Sequence, residues 1–166
     1  MKKLKQPLTG KDQPESTRQD ALNKIFRYCA YQERSHQEVK NKLFEYGLRS
    51  SQVDEVLAHL ITEGFLNEER YAKAFAGGKF RIMKWGRLKI KKELESSGVS
   101  SRNIARGLME ITTPEYGKTI LSLVKKKSGQ VPDENPYRRK SKVARFLIGK
   151  GYEPELVWDA VNDFLA

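Results

Sequence analysis

Residues 39–60 of the chain read VKNKLFEYGLRSSQVDEVLAHL, and their apolar pattern returns at 90–111, IKKELESSGVSSRNIARGLMEI, and at 143–164, VARFLIGKGYEPELVWDAVNDF. Each copy carries a glycine at the same place, namely Gly47, Gly98 and Gly151. The positions eight and four before the glycine, and one, six, ten and thirteen after it, are apolar in all three copies. Since apolar residues three or four apart share one face of a helix, each copy predicts a helix, a glycine turn and a second helix.

A further helical segment precedes each copy, so the sequence predicts an all-α protein of three tandem three-helix repeats of about 50 residues each. Stacked repeats of this size bury area that a single one cannot, and we expect them to form an elongated, curved body. The predicted divisions are a flexible polar arm at 1–15, followed by repeats at 16–66, 67–112 and 113–166.

Local signals set the expected helix boundaries. Capping boxes at 16–19 and 35–38 predict two helix starts, and the serine pair 50–51 predicts a third. The glycine pair 77–78 weakens the first helix of the second repeat and could kink it, because glycine costs about 1 kcal/mol in a helix interior. Residues 128–135 are predicted to be the one clear internal loop.

The charge of the chain is strongly basic and unevenly distributed. Among 166 residues, 32 Lys and Arg face 21 Asp and Glu, for a net charge of +11. Residues 67–112 hold 11 basic and 5 acidic groups, which is most of that excess. Like charges at helical spacing repel, so a basic run of this density favours a polyanion or an acidic protein surface as partner.

The densest basic stretch runs from 79 to 92 and contains no acid. Its cations are Lys79, Arg81, Lys84, Arg87, Lys89, Lys91 and Lys92. On a helix starting at Gly86, we expect Ile90 and Leu94 to face the core and Lys89 and Lys92 to point outward. Trp85 could stack on a base or a partner side chain, or fill the joint between two repeats, and the sequence leaves both open. A second basic cluster spans 125–142.

No pattern indicates catalysis, a metal or a cofactor. Gly10-Lys11 lacks the upstream glycine and the following Ser or Thr of a P-loop. His36 and His59 lie on different predicted helices without ligand spacing. The paired carboxylates Glu68 and Glu69 fall in a first helical turn, where they favour the helix dipole.

The expected compartment is the cytoplasm. The single Cys29 excludes an internal disulfide and a Cys-x-x-Cys metal site, and it is expected to be a buried thiol. No apolar run is long enough to span a membrane, and no apolar stretch follows the basic N-terminus as in a secretory signal.

Three motifs resemble the RecX family in order and spacing. Residues 33–47, ERSxxEVxxKLxxxG, resemble its first-repeat signature, and residues 64–72, GFLNEExYA, resemble the motif that follows. Residues 81–99, RxxKWGxxxIxxELxxxGV, are similar to its middle signature. The resemblance is good over 18–112 and weak over the last third.

The resemblance implies a non-enzymatic regulator of the RecA recombinase in DNA repair, recombination and the SOS response. Members of the family bind the RecA–single-stranded-DNA filament along its groove and lower its ATPase, strand-exchange and coprotease activities. On this basis a binding role is expected for Lys79, Arg81, Lys84, Arg87, Lys91 and Lys92, and in the third repeat for Arg138, Arg139 and Lys140. The basic stretch itself adds Lys89 and Trp85 to the expected binding surface. The resemblance implies no cofactor, and we expect a monomer.

Two other interpretations remain open. The chain could be a DNA-binding protein that inserts Lys89 and Lys92 into a groove through a helix-turn-helix-like unit, acting on single-stranded or double-stranded DNA directly. It could also be a helical scaffold whose charge only confers solubility. Inhibition of the RecA ATPase at low ratios favours the filament regulator, and salt-sensitive binding to bare DNA favours the second interpretation.

Overall fold

The computed structural model describes residues 15–166, and over this range the chain is all α-helical, as predicted. Nine helices occur in the described part, with no strand among them. Their bounds are α1 Glu15–Tyr31, α2 His36–Glu45, α3 Ser50–Thr62, α4 Glu68–Met83, α5 Arg87–Ser96, α6 Ser101–Leu108, α7 Thr113–Gln130, α8 Pro136–Gly149 and α9 Pro154–Phe164. The predicted arm at 1–15 lies outside the described residues except for Glu15, which begins α1.

The three aligned glycines end helices in the same way. Gly47, Gly98 and Gly151 have φ values of 90°, 77° and 98°, where a side chain would be strained. In each copy the residue after the glycine donates its N–H to the carbonyl five positions back, as in Leu48 to Leu43 at 3.2 Å. This pair of features is the Schellman motif, and it confirms the predicted turns.

Fifteen of the eighteen apolar repeat positions are buried, and Leu57 and Leu108 are partly buried against the core. Val39, Leu43, Ile90 and Leu94 are fully buried, as are their counterparts in the third repeat. Phe164, which the repeat pattern assigns to the core, is instead 41% exposed in the last turn of α9.

Several predicted boundaries are corrected. The capping box at Ser35 and Glu38 is present, with N–H···O distances of 3.1 and 2.8 Å. The box at 16–19 is wrong, since α1 already begins at Glu15. The serine pair 50–51 does not cap α3: Arg49 is the N-cap, and its N–H donates to the Gln52 side chain at 3.0 Å.

One predicted interruption is absent and another is shorter than predicted. The glycine pair 77–78 lies inside the continuous helix α4, where Gly77 is buried and leaves room for the Arg81 guanidinium. The predicted loop at 128–135 is shorter, because α7 continues to Gln130 and buries Ser128.

The chain divides into two compact units between Glu68 and Glu69. The first contains α1–α3 around its own core, which includes Ile25, Leu43 and Leu60. The second contains α4–α9, so the second and third repeats share one continuous core that includes Phe80, Ile90 and Val143.

Backbone contacts join the second and third repeats within this second unit. The turn before α5 meets the turn between α8 and α9: the Gly86 N–H donates to the Lys150 carbonyl at 2.8 Å, and the Leu88 N–H donates to the Gly151 carbonyl at 3.0 Å. A Cβ on Gly86 would collide with the Gly151 backbone, and one on Gly151 would collide with Lys89. Gly151 therefore serves both as a helix end and as a point of close approach.

Two buried tyrosines add hydrogen bonds between the second and third repeats. The Tyr116 hydroxyl accepts the Arg87 N–H at 3.1 Å and donates to the Glu153 carboxylate at 2.6 Å. The Tyr152 hydroxyl donates to the Lys84 carbonyl at 2.8 Å. Burial raises the pKa of both phenols, reinforced at Tyr116 by its bond to Glu153, so both act as neutral hydrogen-bond bridges. These bonds hold the turn at 84–86 in place.

Candidate functional site

The basic stretch 79–92 occupies the end of α4, the turn at 84–86 and the first part of α5. Lys84 has a φ of 58°. Within the described residues it is the one non-glycine residue with a positive φ. It ends α4 in a left-handed conformation, with its N–H donating to the Phe80 carbonyl at 3.0 Å. Its side chain is exposed, so the turn presents a lysine where glycine would be less strained.

We expect Lys84→Gly to be more stable than Lys84→Ala by about 1 kcal/mol, because both remove the charge but only glycine relieves the left-handed strain. Urea denaturation of the two variants measures the difference. Equal free energies of unfolding would show that Lys84 is not strained.

The Trp85 ring contacts two lysines of the basic stretch. Its ring is half-buried and packs edge-on against Phe75, with ring centroids 6.4 Å apart. The Lys79 ammonium lies 4.9 Å and the Lys89 ammonium 4.3 Å from the Trp85 ring centroid. These are cation–π distances. The prediction that Lys89 points outward is therefore wrong: it is half-buried and lies over the indole.

The two arginines of the stretch are engaged inside the molecule. Arg81 donates to the Glu115 carboxylate at 3.0 Å and to the Glu110 carbonyl at 3.0 Å. The hydrogen bond with Arg81 lowers the pKa of Glu115 and raises that of Arg81. Arg87 donates to the Ile111 carbonyl at 3.3 Å and lies over the Tyr116 ring at 4.1 Å. Both hold the second repeat against the segment that leads into the third.

The remaining cations divide by whether a carboxylate accompanies them. Lys91 lies 4.0 Å from Glu95 on the same exposed helix face. Lys79, Lys84, Lys89 and Lys92 form no salt bridge with any residue in the described range 15–166. We call these four the unpaired lysines, because within the described residues they form no salt bridge.

The structure adds a residue that the sequence did not single out. Lys118, on α7, lines an open depression together with Lys84, Thr119 and Ser122. Two ammonium groups and two hydroxyls suit a phosphate group. Lys118 lies 34 positions after Lys84 outside any basic run, so only the packing of α7 against α4 could reveal it.

The third-repeat candidates behave differently from one another. Arg139 is half-buried and donates to the Ser128 carbonyl at 2.8 Å, so it ties α8 to α7. Arg138 is exposed and Lys140 half-buried. Nearby, Lys142 pairs with Asp133 at 3.0 Å. Within residues 15–166, no hydrogen bond, ion pair or ring contact joins these third-repeat cations to the unpaired lysines.

Within the described residues, no group of His, Cys, Asp and Glu could hold a metal ion, and no helix is long and apolar enough to cross a membrane. His59 makes an edge contact with Phe26 at 6.4 Å between centroids. Cys29 is buried, and burial raises the pKa of its thiol.

Fold and site together define an all-α protein of tandem three-helix repeats that carries a lysine-rich surface on its second repeat. Family models for the first, second and third three-helix domains of RecX match residues 21–60, 67–108 and 115–161. The chain therefore belongs to the RecX family, and the resemblance noted in the sequence is confirmed.

Curated relatives named regulatory protein RecX are similar over most of the chain. That of Geobacillus kaustophilus is 30% identical over 143 residues, which are 86% of this chain and 53% of the relative. That of Halalkalibacterium halodurans is 28% identical over 145 residues, 87% of this chain and 54% of the relative. The chain thus spans about half the length of these relatives.

Among solved structures, the crystal structure of RecX from Lactobacillus salivarius has the same fold. It superposes with a TM-score of 0.81 at 20% identity and covers 92% of this chain and 98% of its own.

Proposed function

We propose that this chain is a non-enzymatic cytoplasmic regulator that binds the RecA–single-stranded-DNA filament and lowers its ATPase, strand-exchange and coprotease activities. Membership of a family of regulatory proteins supports the general role. Through the filament, the protein would modulate DNA repair, recombination and the SOS response. RecA and single-stranded DNA are its proposed partners, and it is proposed to act as a monomer.

The unpaired lysines are the observation that carries the proposal. Four ammonium groups without carboxylate partners in the described chain lie on one turn and its two flanking helices. A filament of DNA and protein offers phosphates and acidic side chains to neutralise them, and release of condensed counterions then favours binding.

The test is the ATPase of RecA on single-stranded DNA, titrated with the full chain. We expect inhibition at ratios well below one protein per RecA, because a molecule bound in the filament affects several neighbouring subunits. An ATPase that is unchanged while the protein binds bare DNA tightly would contradict the proposal.

The alternative, a DNA-binding protein with a helix-turn-helix-like unit, finds less support in the geometry. Recognition helices present their first residues to the base edges. At the start of α5, however, the Arg87 side chain donates to the Ile111 carbonyl and lies over the Tyr116 ring. Lys89 is folded over Trp85. Tight, salt-sensitive and sequence-selective binding to duplex DNA would favour the alternative.

A further inference from the structure

We infer that Trp85, with Lys79 and Lys89, forms a binding site for one unpaired nucleotide of a single strand, in which the indole stacks on the base and the two lysines take the adjacent phosphates. This inference rests on the proposed function, since it names the single strand as the part of the filament that this surface contacts.

Two cations from different helices share the Trp85 ring. Lys79 belongs to α4 and Lys89 to α5, yet both ammonium groups lie within 5 Å of the same ring centroid. No carboxylate in the described residues pairs with either of them. The ring therefore brings two lysine side chains together without neutralising their charge.

The negative face of the indole ring favours a nucleobase over an acidic side chain as the partner. The face of an aromatic ring is negative, so an acidic side chain approaching the two lysines would gain nothing from Trp85 and would be repelled by its face. A nucleobase stacks on that face once its phosphates have drawn the ammonium groups off the ring. An unpaired nucleotide uses all three side chains, whereas a carboxylate uses only two.

Strand type follows from the same geometry. In a duplex the base faces are covered by neighbouring pairs, so the indole could reach a base only after it was unstacked. The adjoining depression with Lys84, Lys118, Thr119 and Ser122 offers further phosphate contacts beside the turn. The site therefore fits a single strand and disfavours a duplex.

The experiment compares two probes by fluorescence anisotropy: a short oligothymidylate and an abasic strand of the same length, which keeps every phosphate but has no base. We expect the unaltered chain to bind the oligothymidylate about tenfold more tightly, the scale of one stacked base. Trp85→Leu should remove that preference and retain affinity for the abasic strand. Lys79→Gln with Lys89→Gln should weaken both probes alike.

Trp158→Leu is the matched control, because Trp158 is also partly buried against the core of the second unit but lies on α9. It should keep the preference for bases. Equal affinity of the unaltered protein for the two probes would overturn the inference, as would a preference that survives Trp85→Leu.

A second measurement does not require a Trp85 variant to fold. The chain has two tryptophans, so Trp158→Phe leaves Trp85 as the sole indole. Its fluorescence should be quenched by the oligothymidylate and much less by the abasic strand. Equal quenching by both probes would overturn the inference.

The outcome is separable from that of the proposed function. A base preference without inhibition of the RecA ATPase would leave the nucleotide site standing and reject the filament regulator. Inhibition without a base preference would do the reverse.

Discussion

Gly86→Ala should lower the free energy of unfolding by about 3 kcal/mol or more, because the added methyl group would occupy the space of the Gly151 backbone. Neither of the two backbone segments, 86–88 and 150–151, can move away freely. The Gly86 N–H and Leu88 N–H donate to the Lys150 and Gly151 carbonyls, and separating the turns leaves these groups unpaired at about 1–3 kcal/mol each. Gly151→Ala adds the strain of a φ of 98° to the same collision.

Gly78→Ala is the matched control for this prediction. Gly78 lies inside α4, and apart from the adjoining backbone of that helix no atom lies within 4 Å of the methyl group that alanine would add. Alanine should therefore stabilise the protein by about 1 kcal/mol. Urea denaturation followed by circular dichroism measures both variants. If Gly86→Ala and Gly78→Ala shift stability in the same direction, the backbone joint between the second and third repeats is not as close as described.

The sequence predicts that the three repeat glycines end helices. It does not predict the backbone contact between the second and third repeats. Gly47, Gly98 and Gly151 each follow an apolar residue by four positions, and that local spacing is enough to predict a helix end. Gly86 and Gly151 meet across 65 positions of sequence, and nothing near either one indicates the other. Local periodicity therefore predicts the helices and their buried faces, while tertiary packing decides which glycines are in close contact.

The same limit applies to the candidate site. A count of charges along 79–92 treats Arg81, Arg87 and Lys89 as equivalent. In the structure Arg81 meets Glu115, Arg87 meets Ile111 and Tyr116, and Lys89 lies over Trp85. The partners of the two arginines belong to segments 24 to 34 residues away, so sequence alone could locate the basic helix but not its unpaired charges.

This division decides which charge reversal tests the interface. Arg87→Glu would place a carboxylate beside the Ile111 carbonyl and the Tyr116 ring, so a loss of binding could simply reflect a damaged fold. Lys84, Lys89 and Lys92 have no carboxylate partner in the described chain, and Lys84 and Lys92 are exposed. Reversing these three to Glu replaces no side chain that Arg81 or Arg87 contacts, but Lys89 gives up its cation–π contact with Trp85, and thermal melting measures what that loss does to the fold.

We expect the Lys84→Glu, Lys89→Glu, Lys92→Glu protein to bind the RecA–single-stranded-DNA filament on the order of 100-fold more weakly, since phosphate contacts supply most non-specific affinity. The slope of log K against log salt should also become shallower by about 2, because each lysine released from a single strand removes about 0.7. Affinity titrations over a range of salt concentrations, with thermal melting to verify the fold, measure both effects.

The control carries the same change of charge in the first repeat, as Lys24→Glu, Arg27→Glu and Lys40→Glu. If the net charge of the whole protein drove binding, both triple variants would lose affinity equally, because each lowers that charge by the same amount. If the middle repeat makes the contacts, the control should keep nearly all its affinity and its salt slope, since its three substitutions leave every cation of α4 and α5 in place. Equal losses in the two variants would thus refute a localised interface on α4 and α5.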